Sequence, residues 1–301
     1  MSAVNVSTTS VRCLRGCVGG LVAAAVLAGH VLAAPPRATA VTANRLAVPE
    51  SDAAVPPPPP SPHPLEPALA HAARSLAFLT TEVRDYSCRV VKQERIDGRL
   101  QPMEFIDAKV RHRREAEGEV MQRAGLYLHF LAPAAVADRE VLWVEGRNNG
   151  RMTVRRGGTR FQYLTLDLDP RGDAALQHSR YPASESGMLD MVQKLIEVGR
   201  ADMQYGECEV RSFAGVKLDG RPCECIEVTH PRRRTQFRFH IARIFIDDEY
   251  PLPVRYEAYD WPTADEEPPL VEQYTFQNVK LNVGFNDAEF ERGYAGYRFR
   301  P

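Results

Sequence analysis

The first sustained pattern along the chain is helical. Leu65, Leu69, Ala72, Leu76, Leu79 and Val83 recur at steps of three and four, which predicts an amphipathic helix of about five turns with one apolar stripe. From Asp85 the period changes to two. Tyr86, Cys88 and Val90 alternate with Ser87 and Arg89, and Asp97-Gly98 then supplies a hairpin turn. A return run covers 100–114. A third run covers 120–131, where Leu126, Leu128 and Phe130 alternate with Tyr127 and His129. Runs at 141–145 and 151–155 flank another turn signal, Asn148-Asn149-Gly150, after which the chain shows no period as far as Pro182.

A second helix is expected over 184–198, with Ser184 as N-cap and Met188, Leu189, Val192, Leu195 and Ile196 as its buried stripe. Strand-like runs resume at 205–216 and 221–230, joined through Asp219-Gly220, and continue at 235–246, 254–261 and 270–283. No strand–helix–strand rhythm appears, which argues against a parallel sheet. The predicted fold is mainly β within the α+β class: a curved, half-open antiparallel β-barrel with helices packed on its concave face.

The chain ahead of the first helix has another character. Arg12 and Arg15 precede an apolar run from Gly16 to Ala34, and Val31-Leu32-Ala33 places small residues at a cleavage site. Residues 1–34 therefore read as a secretory signal peptide, with an uncleaved anchor as the alternative. Residues 35–64 are proline-rich, with five consecutive prolines at 56–60, and read as an extended linker. Residues 65–301 then form one antiparallel β domain facing the periplasm or cell envelope.

Charge and cysteine content narrow the picture further. The formal net charge of −1 is too close to neutral for nucleic-acid binding through bulk charge. Cleavage of the signal leaves four cysteines: Cys88, Cys208, Cys223 and Cys225. Outside the cytoplasm these can oxidise, in any of three pairings, or stay buried as thiols. Cys223 and Cys225 share one strand face, so a bridge would join one of them to Cys88 or Cys208.

No catalytic set emerges from motifs. The chain has no Gly-x-Ser-x-Gly elbow, no His-x-x-x-His pair and no second cysteine pair at zinc-finger spacing. No cofactor or metal is implied. Lys92-Gln93-Glu94-Arg95 reads as cross-strand ion pairs on a solvent face, and Asp247-Asp248-Glu249 as a turn. The runs 111–114 and 232–234 are basic and offer either solvated turn charge or peripheral contact with anionic headgroups. The material for a ligand cavity is the apolar set Leu126, Leu128, Phe130, Trp143, Phe237, Phe239, Ile241 and Tyr256, which would otherwise be plain core.

Tyr-Ser-Cys-Arg-Val-Val-Lys-Gln-Glu-Arg from Tyr86, Gly-Arg-Asn-Asn-Gly from Gly146 and Ser-Arg-Tyr-Pro from Ser179 carry a resemblance. So do Asp-Gly-Arg-Pro-Cys from Asp219, Glu-Val-Thr-His-Pro from Glu227 and Leu-Pro-Val-Arg-Tyr-Glu-Ala-Tyr-Asp-Trp-Pro from Leu252. Through them the region 65–300 resembles the family called domain of unknown function 1571. At one remove the layout is similar to periplasmic lipoprotein carriers of the LolA and LolB type, whose half-open barrel encloses an apolar cavity. That resemblance implies a non-enzymatic carrier or binder of a lipid or acylated partner in the cell envelope. The alternative is an envelope scaffold with a filled core.

Overall fold

A computed structural model describes residues 62–263 and 266–300. The predicted signal peptide and nearly all of the proline-rich stretch lie outside the described residues. The elements are, in order, α1 (Glu66–Thr81), β1 (Asp85–Ile96), β2 (Arg99–Leu100), β3 (Glu104–Arg111), β4 (Arg114–Ala116), β5 (Glu119–Gln122) and β6 (Gly125–Ala132). There follow β7 (Glu140–Val144), β8 (Met152–Arg155), β9 (Thr165–Leu168), α2 (Asp173–Leu176) and α3 (Met188–Asp202). The chain closes with β10 (Glu209–Leu218), β11 (Arg221–Thr229), β12 (Ile241–Asp247), β13 (Pro253–Tyr259) and β14 (Leu270–Leu281).

Eleven of these strands form a continuous antiparallel path, β10-β11-β12-β13-β14-β1-β3-β6-β7-β8-β9, with β2 attached to β1. The two ends of the path do not pair, so the sheet is open. Alternation along each strand sends one set of side chains to the inside. In-register neighbours there form rows across the sheet. One row runs Cys88, Ala108, Leu128, Val141, Val154, Leu166. Another runs Glu104, Lys92, Tyr274, Tyr256. Residues from β9 and from β13 line one shared cavity, which requires the sheet to curl. The expected half-open antiparallel barrel is what the chain forms.

The helices cover the concave face. Met188, Val192 and Ile196 of α3 pack with Leu79 of α1 against Tyr86, Cys88, Ala108, Val110 and Leu126. The helices cross closely, because Gly199 of α3 has only a hydrogen where a Cβ would stand 2.9 Å from Leu69. The opposite face carries its own cluster, in which Phe290 and the partly buried Tyr297 and Phe299 of the C-terminal segment pack on Tyr127, Leu142 and Val144. Lys109 emerges on that face within 6 Å of four aromatic rings, 4.8 Å from that of Tyr294.

Several expectations need correction. The second helix starts at Met188, not near Ser184, which sits in a short 3-10 turn. The N-terminus of α3 is capped from outside, by the hydroxyl of Tyr86 at 3.0 Å from the Met188 nitrogen. The aperiodic stretch contains β9 and the single-turn α2. The run 235–246 is strand only from Ile241. The run 120–131 is two strands, one of them paired with β4 in a separate ribbon.

Candidate ligand cavity

A cavity of about 790 Å³ lies between the concave face and α3, with its walls drawn from β1, β3, β6, β7, β8, β9, β13, β14 and the segment leading into α3. Its volume falls within the roughly 300–1,000 Å³ of small-molecule sites. Most of the wall is apolar: Val90, Ile106, Leu126, Leu128, Phe130, Val154 and Phe276 come from the sheet, and Met191, Leu195 and Val198 from the helix.

Of the eight residues expected to line a cavity, Leu126, Leu128, Phe130, Phe239 and Tyr256 do so, and Trp143, Phe237 and Ile241 do not. Trp143 packs into the concave core beyond the cavity wall. Phe237 precedes β12 and stacks on His230 with ring centroids 4.0 Å apart. Ile241 opens β12, and it is Ala242, Ile244 and Ile246 that turn toward α1.

One end of the cavity is charged. Glu94 and Glu272 are almost completely buried, at 2% and 4% exposure. Lys92 Nζ lies 3.3 Å from Glu94 and 3.1 Å from Glu104. The hydroxyl of Tyr274 donates to Glu94, and the Arg180 backbone nitrogen donates to the other oxygen at 3.2 Å. Glu272 accepts from Arg180 Nε at 2.7 Å and from the Tyr181 hydroxyl at 3.0 Å. Burial raises the pKa of Glu272, against the lowering pull of Arg180. The Ser-Arg-Tyr-Pro stretch is therefore latched onto two buried carboxylates, and it carries the chain into α3. This corrects the reading of Lys92-Gln93-Glu94-Arg95 as a solvent-facing ladder: Lys92 and Glu94 point inward.

Other singled-out groups have structural roles. Of the run 111–114, Arg111 bonds Asp287 at 2.8 Å, Arg113 pairs with Glu115 and Glu145, and His112 and Arg114 bond the terminal carbonyls of α1. The carbonyls of Leu79, Thr80 and Thr81 at the end of the helix, and that of Val83 just beyond it, thus find donors. Asp247 forms the expected turn, accepting from the nitrogens of Glu249 and Tyr250 while pairing with Arg221 at 2.6 Å. His230 and His240 do meet, through a backbone bond of 2.7 Å. His112 and His129 do not, since His129 sits opposite Asp107 further along β3. All four cysteines named above are unpaired. Burial pushes the Cys88 thiol up to about 12, the reverse of an activated nucleophile. Among the described residues no group of three His, Cys, Asp or Glu side chains is placed to hold a metal, and no helix is long and apolar enough to cross a membrane.

The model of the family described as Protein of unknown function (DUF1571) matches residues 83–299. The chain belongs to this family. The match takes in β1 to β14, so the cavity is built almost wholly from the family's own region. No curated protein sequence matches the chain. Among solved structures, the chain is similar to the complex of Pseudomonas aeruginosa MucA and MucB, at 18% identity and a TM-score of 0.40, covering 74% of this chain and 60% of that one. It is similar to Mycobacterium tuberculosis lipoprotein LppX at 15% identity and a TM-score of 0.39, covering 73% and 98%. It is also similar to a LolA superfamily protein from Nitrosomonas europaea at 10% identity and a TM-score of 0.31, covering 75% and 98%. All three align with TM-scores below 0.5, and the fold assignment rests on the strand order itself.

Proposed function

We propose that this family member is a non-enzymatic carrier or binder of a lipid or acylated partner, acting in the periplasm or cell envelope. The cavity of about 790 Å³ between the curled sheet and α3 carries the reading. An acyl chain entering it exchanges water for the side chains of β1, β3 and β6 on one side and α3 on the other. Each methylene so transferred contributes about 0.8 kcal/mol. The open edge of the sheet and the non-covalent seating of α3 leave a route for the chain to enter and leave. A scaffold with a filled core has no use for this space. The test is uptake of the neutral apolar dye Nile red: saturable fluorescence enhancement, competed by a long-chain alcohol, is expected. A protein that stays folded and enhances no dye overturns the proposal.

A further inference from the structure

Each buried carboxylate at the charged end of the cavity is matched by a cation. Among the described residues three cations of the wall, Arg139, Arg156 and Arg238, are not matched in return, and the first two flank neighbouring strands. Arg139, just before β7, and Arg156, just after β8, both line the cavity, and among the described residues neither guanidinium has an ion-pair or hydrogen-bond partner. Each instead rests on an aromatic ring, Arg139 over Phe130 at 5.3 Å and Arg156 over Phe161 at 5.9 Å.

Their closeness is built into the backbone. A Cβ on Gly157 would stand 2.4 Å from the carbonyl oxygens of Val136 and Ala137 and from the nitrogen of Arg139. Gly158, at φ +80°, donates to the Ala137 carbonyl at 2.8 Å. Only glycine fits this contact, and it pins the chain that follows Arg156 onto the chain that carries Arg139. The two charges feel each other: the pKa of Arg139 is lowered, by burial first, and the charge of Arg156 adds to the lowering against the field of Glu104. His178, also on the wall, is held down by burial and by the same two arginines. Glu104 itself is committed to Lys92 at 3.1 Å.

Holding two guanidiniums together in a partly desolvated wall is unfavourable unless an anion joins them. Guanidinium forks match the paired oxygens of carboxylates and phosphates. An anion at this place adjoins the apolar wall formed by Phe130 and Leu128. We propose that the ligand is an anionic amphiphile, whose carboxylate or phosphate head is held between Arg139 and Arg156 while its chain lies in the cavity. This deepens the carrier reading and rests on it.

The experiment is displacement of Nile red from the exported protein by three probes of equal chain length: palmitate, hexadecyl phosphate and hexadecanol. An Arg139→Gln/Arg156→Gln double variant is run beside the wild type, with a thermal melt of each. Wild-type protein is expected to bind one or both anionic probes roughly tenfold to a hundredfold more tightly than the alcohol, the range of a charge-assisted contact. Whichever anion gains more identifies the head. The double variant should lose this preference and keep its affinity for hexadecanol. Equal wild-type affinity for alcohol and anions overturns the head site and leaves carriage standing, as does a preference that survives in a folded double variant. If no probe displaces dye and no dye binds, carriage and head site fall together.

Discussion

The hydroxyl of Tyr86 on β1 accepts a hydrogen bond from the backbone nitrogen of Met188, 3.0 Å away, at the first turn of α3. Both residues are fully buried. A strand of the central sheet thus fixes where the cavity's covering helix begins, in a chain where the two lie a hundred residues apart. Tyr86→Phe leaves that buried N–H without a partner, which costs about 1–3 kcal/mol. Urea unfolding should show this loss with little change in slope. A variant as stable as the wild type would mean that α3 is held by packing alone.

The strands around β1 were legible in the sequence because each shows period two between turn pairs. Asp97-Gly98 and Asp219-Gly220 both take the positive φ that such hairpins demand. What period two does not reveal is which face is inside. Lys92 and Glu94 fall on the same face as Tyr86, Cys88 and Val90, so the alternation itself pointed inward. Their charge suggested solvent, and the partners that make burial tolerable, Glu104, Tyr274 and Arg180, come from distant segments. β9 escaped because its four residues follow no adjacent turn signal, whereas β8, of the same length, follows Asn148-Asn149-Gly150. Phe237 and Phe239 differ because the alternation at 235–241 precedes the strand. Arg139 and Arg156 are the next positions beyond the β7–β8 pair Glu140 and Arg155, so the hairpin was legible; that both side chains face the cavity, with the Gly157 contact fixing the chain beyond the pair, was not.

The latch under the Ser-Arg-Tyr-Pro stretch predicts a strong effect at Arg180. Arg180→Ala strips the buried Glu272 carboxylate of a charge-assisted hydrogen bond whose guanidinium is itself partly exposed, a loss of about 1.5–3 kcal/mol. Glu272→Gln in the same background should recover part of the loss. A double-mutant cycle by chemical denaturation measures both, and strictly additive losses would count against the latch.

Acid should affect α3 in a particular direction. Burial pushes Asp190, in its first turn, up to about 6, above the roughly 3.9 of an unfolded aspartate. The folded state therefore binds its proton more tightly than the unfolded state between these values. Asp190 contributes stability below about pH 4 and loses it as pH rises through about 6. Relative to wild type, Asp190→Asn should gain about 1–2 kcal/mol at pH 7.5 and gain little at pH 4. Equal shifts at both pH values would contradict the assignment.

Two residues of the cavity wall differ in how far they are packed. Leu128 is partly exposed to the open space, whereas Phe239, which also lines the cavity, is buried against His230 and the surrounding cluster. Leu128→Glu should leave a folded protein that no longer takes up Nile red, its carboxylate reaching the open space. Phe239→Glu should unfold it, because an unpaired buried carboxylate is expensive. Circular dichroism and dye uptake on both variants check the contrast. Collapse of both would mean that Leu128 sits in a packed core.

The claim that the cavity carries an apolar ligand is tested most directly by native mass spectrometry of the protein purified, without detergent, from its native host. The account predicts a population heavier than the polypeptide by the mass of a long-chain lipid, which dissociates on collisional activation and is lost in Leu128→Glu. A spectrum showing the bare polypeptide alone, from protein that also takes up no Nile red, would contradict it.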